Sequence, residues 1–477
     1  MKNNRVICGE LIYESKKYYF NFRNKILIIQ PESLTPYVKW RFEKDDSYFN
    51  KRVNVIGETQ DGKYVSFINV KFSPLGRGIY QAFVPSYIVG ESNTYSPLPE
   101  CDKITDMLFT GKCLDKFYYP KKNIKENDFY KEEILKLEVD YKNWQAEKFT
   151  IDGDTFSYYC HWTSPISYDI NNVLNVKTVL EVHFKSPKNI NQIMEYYKKI
   201  NKFFSFLNNR RIVEFNEIKL KKTEPVLYGF EGQEEILPID MMFNLYITEA
   251  EETVDIIETP NCVRLENINK NYRKLYKEIN KKNFPTYYYP TCEKDDSFVD
   301  NIKFSQISAV FESEFSLLMP KFKTTTSAEY KKIKDGLLKY LYNKKNKIKS
   351  KDSENLTKSQ LKSLINYSNY FNKIIKKTDG NLEEKIIFSL NRYANVLKSK
   401  RDELLRFYKI DKTKDSSLAN CFIERRNKIA HGLFVEKFTH LEIISYTLVR
   451  LSIYCITLER CNFTMEEIEK IIKKIFR

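Results

Sequence analysis

The sequence predicts an α+β multidomain chain: a β-rich N-terminal domain over residues 1–290, then an all-α, helical-bundle domain over 291–477. Three observations carry this. Most segments before residue 260 are dense in β-branched and aromatic residues with partial alternation, whereas those after 300 repeat their apolar residues at helical spacing. Between the two lies NFPTYYYPTCEKDDS, 283–297, with two prolines and an acidic end, which marks a domain boundary. The charge divides at the same place. Residues 1–300 hold 43 Lys+Arg and 43 Asp+Glu; residues 301–477 hold 36 and 20, so the whole net charge of +16 lies after residue 300.

Taken in order, RVICGELIYE, KYYFNFRNKILIIQ and KYVSFINVKF read as strands, as do VKTVLEVHF near 176–184 and IVEFNEIKL, PVLYGF and MMFNLYIT further on. Asp61-Gly62 and Asp152-Gly153 are hairpin signals. Residues 190–209 (INQIMEYYKKINKFFSFLNN) have helical spacing, and a helix around 264–282 closes this half. In the boundary segment, Tyr287, Tyr288 and Tyr289 read as a packed linker. After 300, Ile302, Phe304, Ile307, Val310, Phe311, Phe315 and Leu318 fall close to one helix face. Further helices are expected near 327–347, 357–376, 382–408 and 417–431. Thr439-His440-Leu441-Glu442 and Thr464-Met465-Glu466-Glu467 are capping boxes that open two more.

Composition narrows the function. With 42% hydrophobic and 30% charged residues, this is an ordinary globular chain. The N-terminus lacks a continuous apolar stretch of signal-peptide length. IISYTLVRLSIYCITL is short and carries Arg450, so a membrane span is not expected. Nine scattered cysteines without a C-x-x-C pair suit reduced thiols in a cytoplasm. Only Cys160 and His161 are adjacent as ligand types, so neither a metal nor a cofactor is expected. A basic domain beside a neutral one points to a polyanion partner.

The segment ERRNKIAHG, 424–432, holds one of only four histidines. Gly432 straight after His431 is a natural residue to end a helix. Asn427 and His431 are then i, i+4 neighbours, and Arg426 lies roughly 140° around from His431 at ~100° per residue, its long side chain still within reach of a shared phosphate. Free carbonyls at a helix C-terminus favour a protonated imidazole, and a histidine titrating near neutrality serves as general base or acid. Arginine binds phosphate oxygens through its fork and offsets charge building on phosphorus. RNA carries its own nucleophile, the 2′-OH. The residues therefore permit RNA cleavage without a metal. Glu424 reads as exposed, Glu312 and Glu314 as either cleft-facing or solvated. His440 reads as part of the next helix cap, and His161 and His183 as structural.

RNKIAHG in a basic all-α domain resembles the R-x4–6-H motif of HEPN domains, in which a polar residue, often Asn, follows the arginine. The order of a β-rich domain, opening with GELIY (Gly9 to Tyr13), and then such a helical domain is similar to the ApeA-type anti-phage proteins. The resemblance implies a metal-independent endoribonuclease of abortive-infection defence, cutting RNA (tRNA among the candidates) as a homodimer whose motifs line one cleft. It gives His431 the role of general base or acid, Arg426 that of phosphate stabiliser, and Asn427 that of orienting the phosphate or His431. Arg425 and Lys428 are the expected RNA contacts. The N-terminal domain would sense a phage-derived trigger or restrain the nuclease. Two alternatives stand beside it: a non-catalytic RNA-binding protein, and a scaffold that dimerises through the 417–460 helices.

Overall fold

The structure, a computed structural model, describes residues 6–32, 51–91, 103–118, 124–126, 137–139, 146–163, 175–230, 233–248, 262–296, 298–322, 328–349, 381–434 and 437–476, with part of 357–370. The chain divides into two compact units, Met1–Cys292 and Glu293–Arg477.

The first unit begins with six strands: β1 (Ile7–Tyr13), β2 (Lys16–Arg23), β3 (Ile26–Pro31), β4 (Val53–Thr59), β5 (Lys63–Gly76) and β6 (Ile79–Phe83). Their order, β5-β4-β1-β2-β3-β6, returns from β6 to β5 and closes a six-stranded antiparallel barrel. Closure depends on the 14-residue β5, which pairs with β4 through its first half and with β6 through its second. Alternation sends Tyr18, Phe20 and Phe22 of β2 inward against Leu27, Ile29, Val65 and Phe67, all buried. A fully buried phenylalanine contributes about 2 kcal/mol. The GELIY motif is barrel wall. Leu11 enters the core, and Gly9 lies where any Cβ would strike the Glu58 carbonyl and the Phe20 ring.

Strand β7 (Ser86–Glu91) pairs with the first half of β5 and carries the sheet out of the barrel. The extension runs β7-β15-β14-β8-β13-β12-β11. Its members are β8 (Ile104–Thr110), β11 (Glu147–Ile151), β12 (Asp154–Thr163), β13 (Asn175–Lys188), β14 (Glu217–Phe230) and β15 (Gln233–Ile247). A separate pair joins β9 (Ile124–Glu126) to β10 (Leu137–Val139). Helices α1 (Lys112–Phe117), α2 (Ile190–Asn208) and α3 (Tyr272–Ile279) pack against the extension through aromatics. Phe149 stacks on Tyr272 at 4.1 Å, Phe117 meets Tyr158 at 5.2 Å, and the buried Tyr158 and Tyr272 hydroxyls share a 2.6 Å hydrogen bond.

Several expectations need correction here. KYYFNFRNKILIIQ is two strands, because Asn24 and Lys25 adopt φ 49° and 68° and turn the chain. IVEFNEIKL becomes strand only at Glu217, and PVLYGF continues that same β14. The helix expected over 264–282 is a single turn at Leu265–Ile268, a 3-10 turn and then α3. His183 is not packed inside: it faces solvent, its ring 2.6 Å from the buried Asp106 carboxylate directly across the β13–β8 ladder. The packed linker holds for Tyr288 and Tyr289, which are buried, whereas Tyr287 is exposed.

The second unit is helical: α4 (Asn301–Leu318), α5 (Ala328–Lys349), α6 (Leu382–Arg392), α7 (Ala394–Phe407), α8 (Asp415–Ala430), α9 (His440–Arg460) and α10 (Met465–Ile475). Part of the helix expected at 357–376 lies outside the described residues, and the one expected at 382–408 breaks at Tyr393. Helix α9 is the axis of the bundle. It is long and apolar enough to cross a membrane, yet 83% of its apolar window is buried inside the protein. Phe304, Ile307, Val310, Phe311 and Phe315 of α4 pack inward, whereas Ile302 is exposed. Glu314 is neither cleft-facing nor solvated: it is buried and bonded to Arg460 and Thr457.

Candidate functional site

Helix α8 is fixed at its start by Arg401, which reaches Asp415 at 2.5 Å and the Thr413 carbonyl at 2.6 Å. Leu418, Ala419 and Phe422 bury its inner face, with the Phe422 ring stacked on Phe304 at 4.5 Å. Arg425 continues that face. It lies three residues after Phe422 and seven after Leu418, so it projects inward where an apolar residue would be expected.

Arg425 is 3% exposed. Its Nε and Nη2 donate to the two Glu442 oxygens at 2.7 and 2.6 Å, and Nη2 also donates to the Lys437 carbonyl at 2.9 Å. The guanidinium lies 4.5 Å from the Phe438 ring centroid. Burial alone would raise the Glu442 carboxyl. The Arg425 fork and the Thr439 amide outweigh that and hold it below the usual glutamate range. Glu442 is at once the third residue of α9, which closes its capping box, and the counter-ion of Arg425. One side chain thus ties the end of α8 to the start of α9 across residues 431–439. The expected RNA contact by Arg425 is corrected accordingly: touching phosphate would require this buried pair to open, at a cost of about 3 kcal/mol or more.

The neighbouring residues turn outward. Arg426 is half-buried, and its Nη1 donates to Asn427 Oδ1 at 3.1 Å. Asn427, Lys428 and His431 are exposed. The Asn427 carbonyl accepts the His431 amide at 3.0 Å. Gly432 takes φ 75°, its amide bonds Ile429 O at 3.0 Å, and Leu433 N bonds Lys428 O at 2.9 Å. That is a Schellman ending, which glycine permits without strain. It holds His431 as the last residue before the chain leaves the helix. The His431 side chain is exposed, and among the described residues its ring makes no hydrogen bond. The structure therefore joins Arg426 to Asn427 through side chains, and Asn427 to His431 through the backbone.

His440 sits in the cap region as expected, as the first residue of α9 between Thr439 and Glu442. Thr439 caps the helix, and the His440 ring stacks on Tyr408 at 4.7 Å. The sequence reading missed Glu442 as the partner of Arg425. Two signals pointed there: the Leu418-Phe422-Arg425 spacing, and the capping box that places a carboxylate at the start of α9.

Comparison with known families bears on the other unit. Residues 26–224 match the family model of the ApeA N-terminal domain 1. The match supports an ApeA-type defence protein. It begins after GELIY, takes in β3 to β13, and stops within β14. The matched region thus spans part of the barrel and most of the extension, while β1 and β2, which complete the barrel, precede it. No solved structure matches the chain.

Proposed function

We propose that the helical unit is a HEPN-type endoribonuclease, acting in anti-phage defence under control of the ApeA-like N-terminal unit. The observation that carries this reading is the last turn of α8, where Arg426 bonds Asn427 and the side chain of His431, one turn on from Asn427, is exposed. The ApeA match supports the defence context.

In this reading the His431 imidazole takes the proton of a ribose 2′-OH. The 2′-oxygen bonds to phosphorus as the P–O5′ bond breaks, and the departing 5′-oxygen is protonated by a second imidazolium. One motif supplies one histidine, so the second acid comes from another copy of the chain, as the resemblance to paired domains implies. Arg426 neutralises the two phosphate oxygens as charge builds on them. Asn427, bonded to Arg426, sets the direction of its guanidinium. Lys428 adds a phosphate contact. The products are a 2′,3′-cyclic phosphate and a 5′-OH, and no step calls for a metal.

The test is incubation of the purified chain and of His431→Ala with total RNA, including tRNA, in EDTA, followed by mapping of fragment ends. Cyclic-phosphate ends produced by the wild type alone support the reading. RNA that is bound but left intact by both proteins, with affinity falling as salt rises, favours the non-catalytic RNA-binding alternative.

A further inference from the structure

We infer that the N-terminal unit carries a binding groove for an extended, uncharged polypeptide segment bearing aromatic and aliphatic side chains. The groove lies where the sheet leaves the barrel and has a volume of about 1910 Å³. Small-molecule pockets run roughly 300–1,000 Å³, so this one is about twice the size a metabolite needs.

Its floor is the exposed face of β15 and its neighbours. Alternation puts Met242 and Tyr246 outward, both about two-fifths exposed, while Phe243 and Leu245 point into the core. Tyr246 stands directly opposite Tyr87 on β7 and stacks on it at 4.8 Å, with 12° between the rings. Phe22 meets Tyr87 edge-on at 4.9 Å. An aromatic wall therefore runs from the barrel core to the groove surface. On the opposite face of the same ladder, Gly90 leaves room for the buried Phe243 ring, which any Cβ there would overlap.

Charge decides between a polypeptide and a nucleic acid. The lining holds five lysines and five carboxylates. Several are already matched: Lys219 with Glu217 at 3.0 Å, Lys63 with Asp61 at 3.7 Å, and Asp240 with Lys221 at 2.7 Å. A strand of nucleic acid needs a cationic surplus to displace its counterions, and this lining offers none. It does offer four side-chain amides: Asn24, Gln60, Asn216 and Asn244. Each carries a donor and an acceptor, as a peptide group does. Apolar surface between such amides suits an extended backbone with uncharged side chains. The inference concerns this unit alone and does not depend on RNA cleavage by the other.

The test is fluorescence anisotropy on the full chain. The probes are a panel of labelled 12-residue peptides, uncharged and rich in aromatic and aliphatic residues, a Lys/Glu-rich peptide, and a 12-nucleotide single-stranded RNA. Members of the uncharged panel should bind saturably with micromolar Kd, and the charged peptide at least tenfold more weakly. Tyr246→Glu and Met242→Glu, both at exposed positions, should each raise the peptide Kd at least tenfold, while Ile12→Glu on the barrel exterior changes nothing. RNA binding should be the same in all four proteins. The inference is overturned if no uncharged peptide binds, if Tyr246→Glu and Met242→Glu bind peptide as the wild type does, or if Tyr246→Glu abolishes RNA binding.

Discussion

The two units handle charge in opposite ways. In the N-terminal unit, cations and carboxylates are balanced and meet across strands: His183 and Lys221 each stand directly opposite Asp106 on the ladder, and Lys221 also reaches Asp240 at 2.7 Å. In the helical unit the excess is large, yet the arginines are mostly spent inside. Of the eight arginines after residue 300, Arg392, Arg401, Arg425, Arg450 and Arg460 each pair with a carboxylate. Lysines supply the exterior charge. The planar guanidinium fork suits buried pairing, whereas the ammonium group stays hydrated. Net charge alone therefore overstates how many arginines a helical domain can turn toward RNA. Arg426, directed to its neighbour Asn427 and not to a carboxylate, is an exception at the motif.

The contrast between Arg426 and Arg425 can be broken by mutation. His431→Ala should lower RNA cleavage by about 10²- to 10⁴-fold, the usual worth of a general acid–base group, and leave thermal unfolding unchanged. A variant that still cuts RNA at the wild-type rate would end the assignment. Next in size, Arg425→Met or Glu442→Ala should destabilise the helical unit by about 3–5 kcal/mol, because each strands a buried charge. The double change Arg425→Met, Glu442→Met should recover much of that loss. If the singles unfold like the wild type in a thermal melt, the pair does not tie α8 to α9.

The acid limb sharpens the same point. Glu442 is held below its unfolded value by Arg425 and Thr439, against the effect of burial. Glu459 is held low in the same way by Arg392 and Tyr393. Their contribution is fully present above the ordinary glutamate range and is lost as pH falls through the depressed folded values. Melting of the helical unit should therefore weaken on that acid side, and Glu442→Gln should flatten the slope. A variant with the wild-type pH dependence would remove Glu442 from the account. Smaller still, Lys428→Gln should reduce the salt slope of single-stranded RNA binding by about 0.7, one phosphate contact. An unchanged slope would take Lys428 out of the interface. In the neutral unit, Gly153→Ala should cost about 1 kcal/mol, read as a lower denaturation midpoint. Asp152 and Gly153 take φ 54° and 97° in the two-residue turn between β11 and β12.

Much of this was legible locally. Asp152-Gly153 names a type I′ turn because both residues tolerate positive φ. Glu14-Ser15 makes a turn of the same kind at φ 49° and 61°, without the residues that announce one. Thr439 and Glu442 announced the start of α9, and Gly432 the end of α8, since caps are set by residues three or four apart. Helix α3 was overdrawn because Asn269–Asn271 tightens to a 3-10 turn, which lets the Tyr272 hydroxyl meet Tyr158 from a distant strand.

By itself, then, the sequence determined the order of a β-rich and a helical part, the strongest turns and caps, the placement of the charge excess, and the position of Arg426, Asn427 and His431 at one helix end. These follow from side-chain period and nearest-neighbour chemistry, which reach only a few residues along the chain. Tertiary structure alone decided the closure of the barrel by the long β5, the groove at its mouth, and which of two adjacent arginines turns inward. Those depend on partners far apart in sequence: Phe83 for Ile26, Tyr246 for Tyr87, and Glu442 for Arg425. Such pairings become visible only once burial has selected them over the other partners within reach of the same residues.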